Sequence, residues 1–259
     1  MSTDSATPTA PSRARRIGLQ TGYDTRLTLA NGEQILLTVV IPIGVLLGLY
    51  WFPALALLPT GADAQTPRID LALPGALTVA VLSSAFASVA IATGFDRRSG
   101  SLLLLATTPL SRAELMWARA LSTLTIVAGQ VVVLIAIAAG LGWRPTARST
   151  AALGFVILGA LSLAACAVMI AGVLRAEATL ALANGVFLLL LVAGGTAIPA
   201  SSLPGWWAPI AQALPSGALA DGLRWSLLDL PATPYWSLIA LLAWGIIATI
   251  IARRTFRWD

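Results

Sequence analysis

The sequence predicts an all-α polytopic membrane protein with six spans. Three observations carry that reading. Hydrophobic residues make up 58% of the chain and charged residues 10%, against about 25% charged in soluble domains. Mean hydropathy is +0.85. The apolar residues are also gathered into six runs, each near the ~20 residues an α-helix needs to cross a hydrocarbon core. A backbone in lipid must satisfy its own hydrogen bonds, so runs of this length read as helices. All sixteen basic residues are Arg, with no Lys or His, and the net charge is +5. In a soluble chain that balance would suggest nucleic acid. Here it is assigned to loops and anionic headgroups, and no nucleic-acid partner is expected.

In chain order, residues 1–16 are rich in Ser, Thr, Pro and Ala and read as a disordered tail, with 17–257 as one membrane domain. Ile17 to Gln34 mixes Ile17, Leu19, Tyr23 and Leu27 with Asp24, Arg26, Asn31 and Glu33. That is a weak amphipathic pattern suited to a membrane face, with an irregular linker as the alternative. The first span is Ile35 to Leu58, with kinks expected at Pro42 and Pro53. The others are Leu71 to Phe95, Ala120 to Leu141, Ala151 to Leu174, Ala178 to Ile198 and Tyr235 to Ala252.

Arginine placement orients these spans. With the N-terminus inside, twelve arginines fall on inner segments, and four (Arg68, Arg144, Arg148 and Arg224) fall on outer ones. This positive-inside bias puts both termini and the Gly94 to Arg119 loop in the cytoplasm. Abundant Ala and Arg without Lys point to a GC-rich bacterial source, and hence to the bacterial plasma membrane.

Two connections are too structured for plain loops. Between spans two and three, Asp96-Arg97-Arg98 ends an apolar run and Ser99-Gly100-Ser101 permits a turn. Leu102, Leu103, Leu104 and Leu105 then form a short apolar piece, and Thr107-Thr108-Pro109-Leu110-Ser111-Arg112 punctuates before a helix resumes. This suits a small helix at the membrane face that docks onto a partner; the alternative is a solvated loop resting in headgroups. Between spans five and six, Pro204, Trp206, Trp207, Pro209 and Pro215 precede Ser216 to Leu228. Prolines at that density forbid one continuous helix, and a Trp pair anchors at an interface, so a re-entrant hairpin is expected. A peripheral anchor is the alternative.

Within the spans, Gln130 and Asn184 are singled out, because an amide in hydrocarbon needs a partner helix or water. Interhelical bonding is preferred over lining a substrate path. Chemistry is restricted by what is missing. With no His and a single cysteine, Cys166, in an apolar run, neither metal ligation nor a Ser-His-Asp triad is expected. A phosphate-binding P-loop requires Lys, so ATP-driven work needs a motor on another polypeptide. Acids lie mostly in loops, which disfavours an ion-coupled secondary carrier. No cluster at one depth supports a membrane-embedded transferase.

The loop motif Asp96, Arg97, Gly100, Leu102 to Leu105, Thr108-Pro109-Leu110-Ser111-Arg112 resembles that of the permease subunits of type-2 ATP-binding-cassette (ABC) exporters. There Glu is usual at the position of Asp96, and Lys is common near Arg119. The hairpin, with Leu203-Pro204, Trp206, Pro215 and Arg224, resembles the paired outer helices of the same family. The resemblance implies a six-span permease with an interfacial N-terminal helix, a cytoplasmic coupling helix and an outer hairpin. It implies a second permease copy, identical or different, and separate ATP-binding subunits that carry the ATP and Mg; this chain would hold no cofactor and be no enzyme. Asp96, Arg97, Arg98, Gly100, Leu102 to Leu105, Pro109 and Arg112 would couple to the ATPase. Arg26, Glu33 and Glu177 would offer further cytoplasmic contacts, and Pro204, Trp206, Trp207, Pro215 and Arg224 an outer gate.

Overall fold

The computed structural model describes residues 11–52, 65–101, 107–173, 176–196, 199, 203–231 and 233–255. Every regular element among the described residues is helical. The chain opens with α1 (Arg13–Ala30), capped by Ser12, whose hydroxyl accepts from the Arg15 amide. The helix therefore begins at Arg13, inside the stretch expected to be tail, because Ser12 supplies the cap that a helix start requires. Next come α2 (Gly32–Ile35), a π turn (Leu36–Val40) and α3 (Ile41–Trp51). Pro42 lies at the start of α3, where its missing N–H breaks the backbone ladder. Pro53 and Leu102 to Leu105 lie outside the described residues.

The central element runs from Arg68 to Arg98. It comprises α4 (Arg68–Val81), a second π segment (Leu82–Ser88) and α5 (Val89–Arg98). It is buried along most of its length by the other helices. Its Ala- and Ser-rich surface lets them approach closely. α6 (Arg112–Gly140) starts eight residues before the apolar run that predicted it. The reason is a complete capping box: Glu114 N–H donates to Ser111 Oγ at 3.3 Å, and Ser111 N–H donates to Glu114 Oε2 at 2.8 Å. A short 3₁₀ turn (Ala147–Ser149) leads to α7 (Thr150–Ala171), followed by α8 (Ala176–Ala193). The segment expected to form the hairpin holds α9 (Ala208–Ala213) and α10 (Pro215–Leu227), and α11 (Tyr235–Thr255) is the last described element.

Among the described residues, four helices are long and apolar enough to cross a membrane: 68–98, 113–140, 147–171 and 235–255. The first and fifth predicted spans correspond to the shorter apolar helices Thr38–Trp51 and Ala178–Ala193. The bundle exposes large apolar side chains on its periphery, among them Ile246 and Ile247 of α11, Val132 of α6 and Val192 of α8. Water penalises such a surface, whereas lipid tails do not. The 29 residues of α6, at about 1.5 Å per residue, separate two ends of the bundle. One end carries the 96–112 connection and the other the hairpin.

Candidate functional site

At the loop end, two charged residues of the connection, Asp96 and Arg97, turn inward onto neighbouring helices. Asp96, at the end of α5, pairs with Arg119 of α6, which also donates to Thr93 Oγ1. Arg97 donates to the Ala171 carbonyl at 3.1 Å, capping the C-terminal end of α7 where unsatisfied carbonyls favour a cation. Arg98 is exposed at the end of α5. Gly100 has φ +72°, a left-handed turn that a side chain would strain. Pro109 sits in an exposed turn and Arg112 is the first residue of α6.

The exit of the connection is tied down from the N-terminal side. Glu114 is 2% exposed. Its Oε1 accepts from Arg16 of α1 at 2.6 Å and faces Arg13 Nε at 3.5 Å, while Oε2 closes the capping box. Thr21 Oγ1 reaches the Ala118 carbonyl at 3.3 Å, and Thr25 and Ser122 hydroxyls lie 2.9 Å apart. So α1 is stapled along the first turns of α6. The charge-assisted contacts of Arg16 and Arg13 with Glu114 carry more than the neutral hydroxyl bonds beside them. Arg26 lies exposed on α1, Glu33 within α2, and Glu177 in the first turn of α8.

Between α1, α5 and α6 lies a cavity of about 480 Å³. Asp24 reaches it from α1, with Oδ1 accepting from Gln20 Nε2 at 2.8 Å. Burial pushes the Asp24 carboxyl above its ordinary range, with Arg119 and Gln20 pulling the other way.

Deeper in the bundle, Gln130 makes the interhelical bonds preferred for it. Pro42 lacks the N–H that would serve the Thr38 carbonyl, and Gln130 Nε2 donates to that oxygen instead. Its Oε1 accepts from Ser84 Oγ at 2.8 Å, so one amide bridges three helical segments. Asn184 instead lies exposed on the apolar face of α8.

The hairpin end is packed much more tightly. All of α10 except Asp221 and Trp225 is buried, placing it among α4, α7, α8 and α11. Pro215 occupies its first turn. A Cβ on Gly217 would stand 1.9 Å from the Ala211 carbonyl oxygen, and one on Gly222 would stand 2.3 Å from the Phe155 ring. Arg224 Nη2 donates to the carbonyls of Gly195 at 2.7 Å and Thr196 at 2.8 Å, just beyond α8, while Nη1 pairs with Asp221 at 3.2 Å. Trp207 Nε1 donates to the Ala193 carbonyl at 3.3 Å, and Trp206, exposed beside Pro204, packs edge-on against Trp207 at 5.3 Å. Arg148, from the connection between α6 and α7, stacks over Trp225 at 5.0 Å and donates to the Leu230 carbonyl at 2.8 Å.

Sequence reasoning missed Glu114, Arg16, Arg148 and the use of Asp24. Ser111-x-x-Glu114 is a readable capping signal. Arg16 and Arg148 have partners 98 and 82 residues away, and Asp24 faces a cavity that α5 and α6 complete, so no local signal marks them. Compared with known families, residues 24–228 match the family described as ABC-2 type transporter. No curated protein matches the chain.

Proposed function

This chain belongs to the ABC-2 type transporter family, and we propose that it is the permease subunit of an ATP-driven exporter, coupled to a separate ATP-binding subunit through the 96–112 connection. The single observation that supports this most is how firmly that connection is held at both borders. Its entry is bonded to α6 and α7 through Asp96 and Arg97, and its exit to α1 through Glu114. A push delivered there by a nucleotide-driven partner reaches α1, α5, α6 and α7 together, which is what coupling requires. The chain lacks Lys, so the phosphate-gripping motif belongs to the partner.

In this reading two permease copies and two ATPase subunits assemble in a bacterial plasma membrane with both termini cytoplasmic. The hairpin gates the outer side, and ATP and Mg stay on the partner. Asp96 and Arg97 transmit the push, while Arg98, the turns at Gly100 and at Pro109, Leu102 to Leu105 and Arg112 are assigned to the docking contact. A mild-detergent pull-down of the tagged chain tests the assignment. A P-loop ATPase is expected to co-purify, and to be lost when residues 99–110 are replaced by a neutral linker of equal length. Recovery without any ATPase, with transport that collapses with the ion gradient, would overturn it.

A further inference from the structure

We propose that the cavity between α1, α5 and α6 is a binding site for an amphiphilic organic cation, with Asp24 as its counter-ion. The inference stands on the cavity itself and does not depend on the partner ATPase. Its volume of about 480 Å³ falls within the ~300–1,000 Å³ typical of small-molecule sites. Leu27, Val89, Ala92 and Ile126 supply apolar wall, and Tyr23, 61% exposed, puts an aromatic ring among the lining residues. Apolar wall with few polar groups accepts an amphiphile rather than a strongly hydrated ion.

Charge decides the sign of the occupant. Two carboxylates and one guanidinium line the cavity; both Nη groups of that guanidinium are taken by Thr93 and Asp96, and its Nε alone has no partner among the described residues. Asp24 Oδ2 is buried and has no hydrogen-bond partner among the described residues. Ser88, 6% exposed and also lining the cavity, has an unpartnered Oγ. Buried polar atoms left unsatisfied are costly, and a protonated amine in the cavity would offer N–H donors to them. An anion would face Asp24 and Asp96, and a neutral molecule would leave Asp24 uncompensated. A protonated amine on an apolar or aromatic body fits both the walls and the charge, with Tyr23 adding a cation–π surface.

The test uses the full chain in nonionic detergent, titrated with the cationic dye rhodamine 6G and, separately, with the uncharged dye Nile red, followed by fluorescence anisotropy. Rhodamine 6G is expected to bind saturably. Asp24→Asn should weaken it about tenfold or more, as expected when a charge-assisted contact is lost, and leave Nile red unchanged. Ala92→Leu, which narrows the cavity without touching a charge, should weaken both dyes. Thermal unfolding of each variant confirms that it is folded. An amine can also arrive on a lipid headgroup, so the titration is repeated with phosphatidylethanolamine or phosphatidylglycerol added. Competition by phosphatidylethanolamine alone, absent in Asp24→Asn, assigns the ammonium to lipid; no competition assigns it to a free cation. Wild-type affinity for rhodamine 6G in both folded variants would overturn the proposal.

Discussion

At the hairpin end, Arg224 is 5% exposed and its guanidinium serves two backbone carbonyls and a carboxylate three residues away. At the loop end, Arg16 and Arg119 meet carboxylates carried by other helices. The packing differs in the same sense. Glycines in and beside α10 leave no room for a Cβ, whereas the loop end encloses a cavity of about 480 Å³. A guanidinium on carbonyls at a helix end locks a single arrangement, as Arg97 also does once on Ala171 at the loop end, while the ion pairs between helices there can separate and re-form as they move. The hairpin end is thus built to hold its shape and the loop end to change it.

Removing Arg224 gives the largest effect expected from that contrast. Arg224→Met keeps the stem but strands two carbonyls and Asp221, a loss of about 3–5 kcal/mol for breaking a buried pair. Thermal unfolding in detergent should show a sharply lowered midpoint, partly restored by adding Asp221→Asn. An unchanged midpoint would mean that the hairpin end is not locked by this residue. Next in size is Gly217→Ala. Its Cβ meets backbone at 1.9 Å, which no rotamer change relieves, so the cost should reach about 3 kcal/mol, the upper part of the overpacking range. Near-native stability there would erase the difference in packing between the two ends.

Much of this was legible in the chain and some was not, for physical reasons. The apolar runs announced a helical membrane bundle because lipid imposes length and composition on a span. Gln130 stood out because an amide is conspicuous among Val and Leu. Its partner did not, because the free Thr38 carbonyl exists only through the π turn and Pro42 together. The break into short helices between α8 and α11 was visible from its prolines, but the burial of α10 was not. Gly217 and Gly222 look like ordinary small residues until Ala211 and Phe155 are placed against them. Asp96 and Arg97 read as residues for partner coupling because sequence shows charge and not direction; their partners within the chain, Arg119 and Ala171, lie 23 and 74 residues away.

Smaller effects separate the ends further. Asp96→Asn removes the carboxylate from Arg119 and should cost about 1.5–3 kcal/mol, as for a hydrogen bond to a charged group. If the pair transmits a push, partner ATPase activity should lose its response to the permease by more than that stability change explains. Exchanging the two residues, Asp96→Arg with Arg119→Asp, should recover part of it. A fully coupled Asp96→Asn variant would reduce the pair to local structure. Gln130→Leu leaves the Thr38 carbonyl and the Ser84 hydroxyl without their partner, for about 1 kcal/mol given the modest worth of interhelical bonds in membranes.

The smallest stability effect belongs to Ala92→Leu, and it is the sharpest test of the contrast. The added side chain enters the cavity rather than a packed interface, so the midpoint should move by no more than about 0.5 kcal/mol in equivalent stability. Gly217→Ala adds one carbon at the hairpin end, while Ala92→Leu adds three at the loop end. If the hairpin end is the packed one, the smaller addition does the greater damage. Equal damage would mean that the loop end is as closely packed in solution as α10 is, and that the volume beneath α1 is not available to a ligand or to motion.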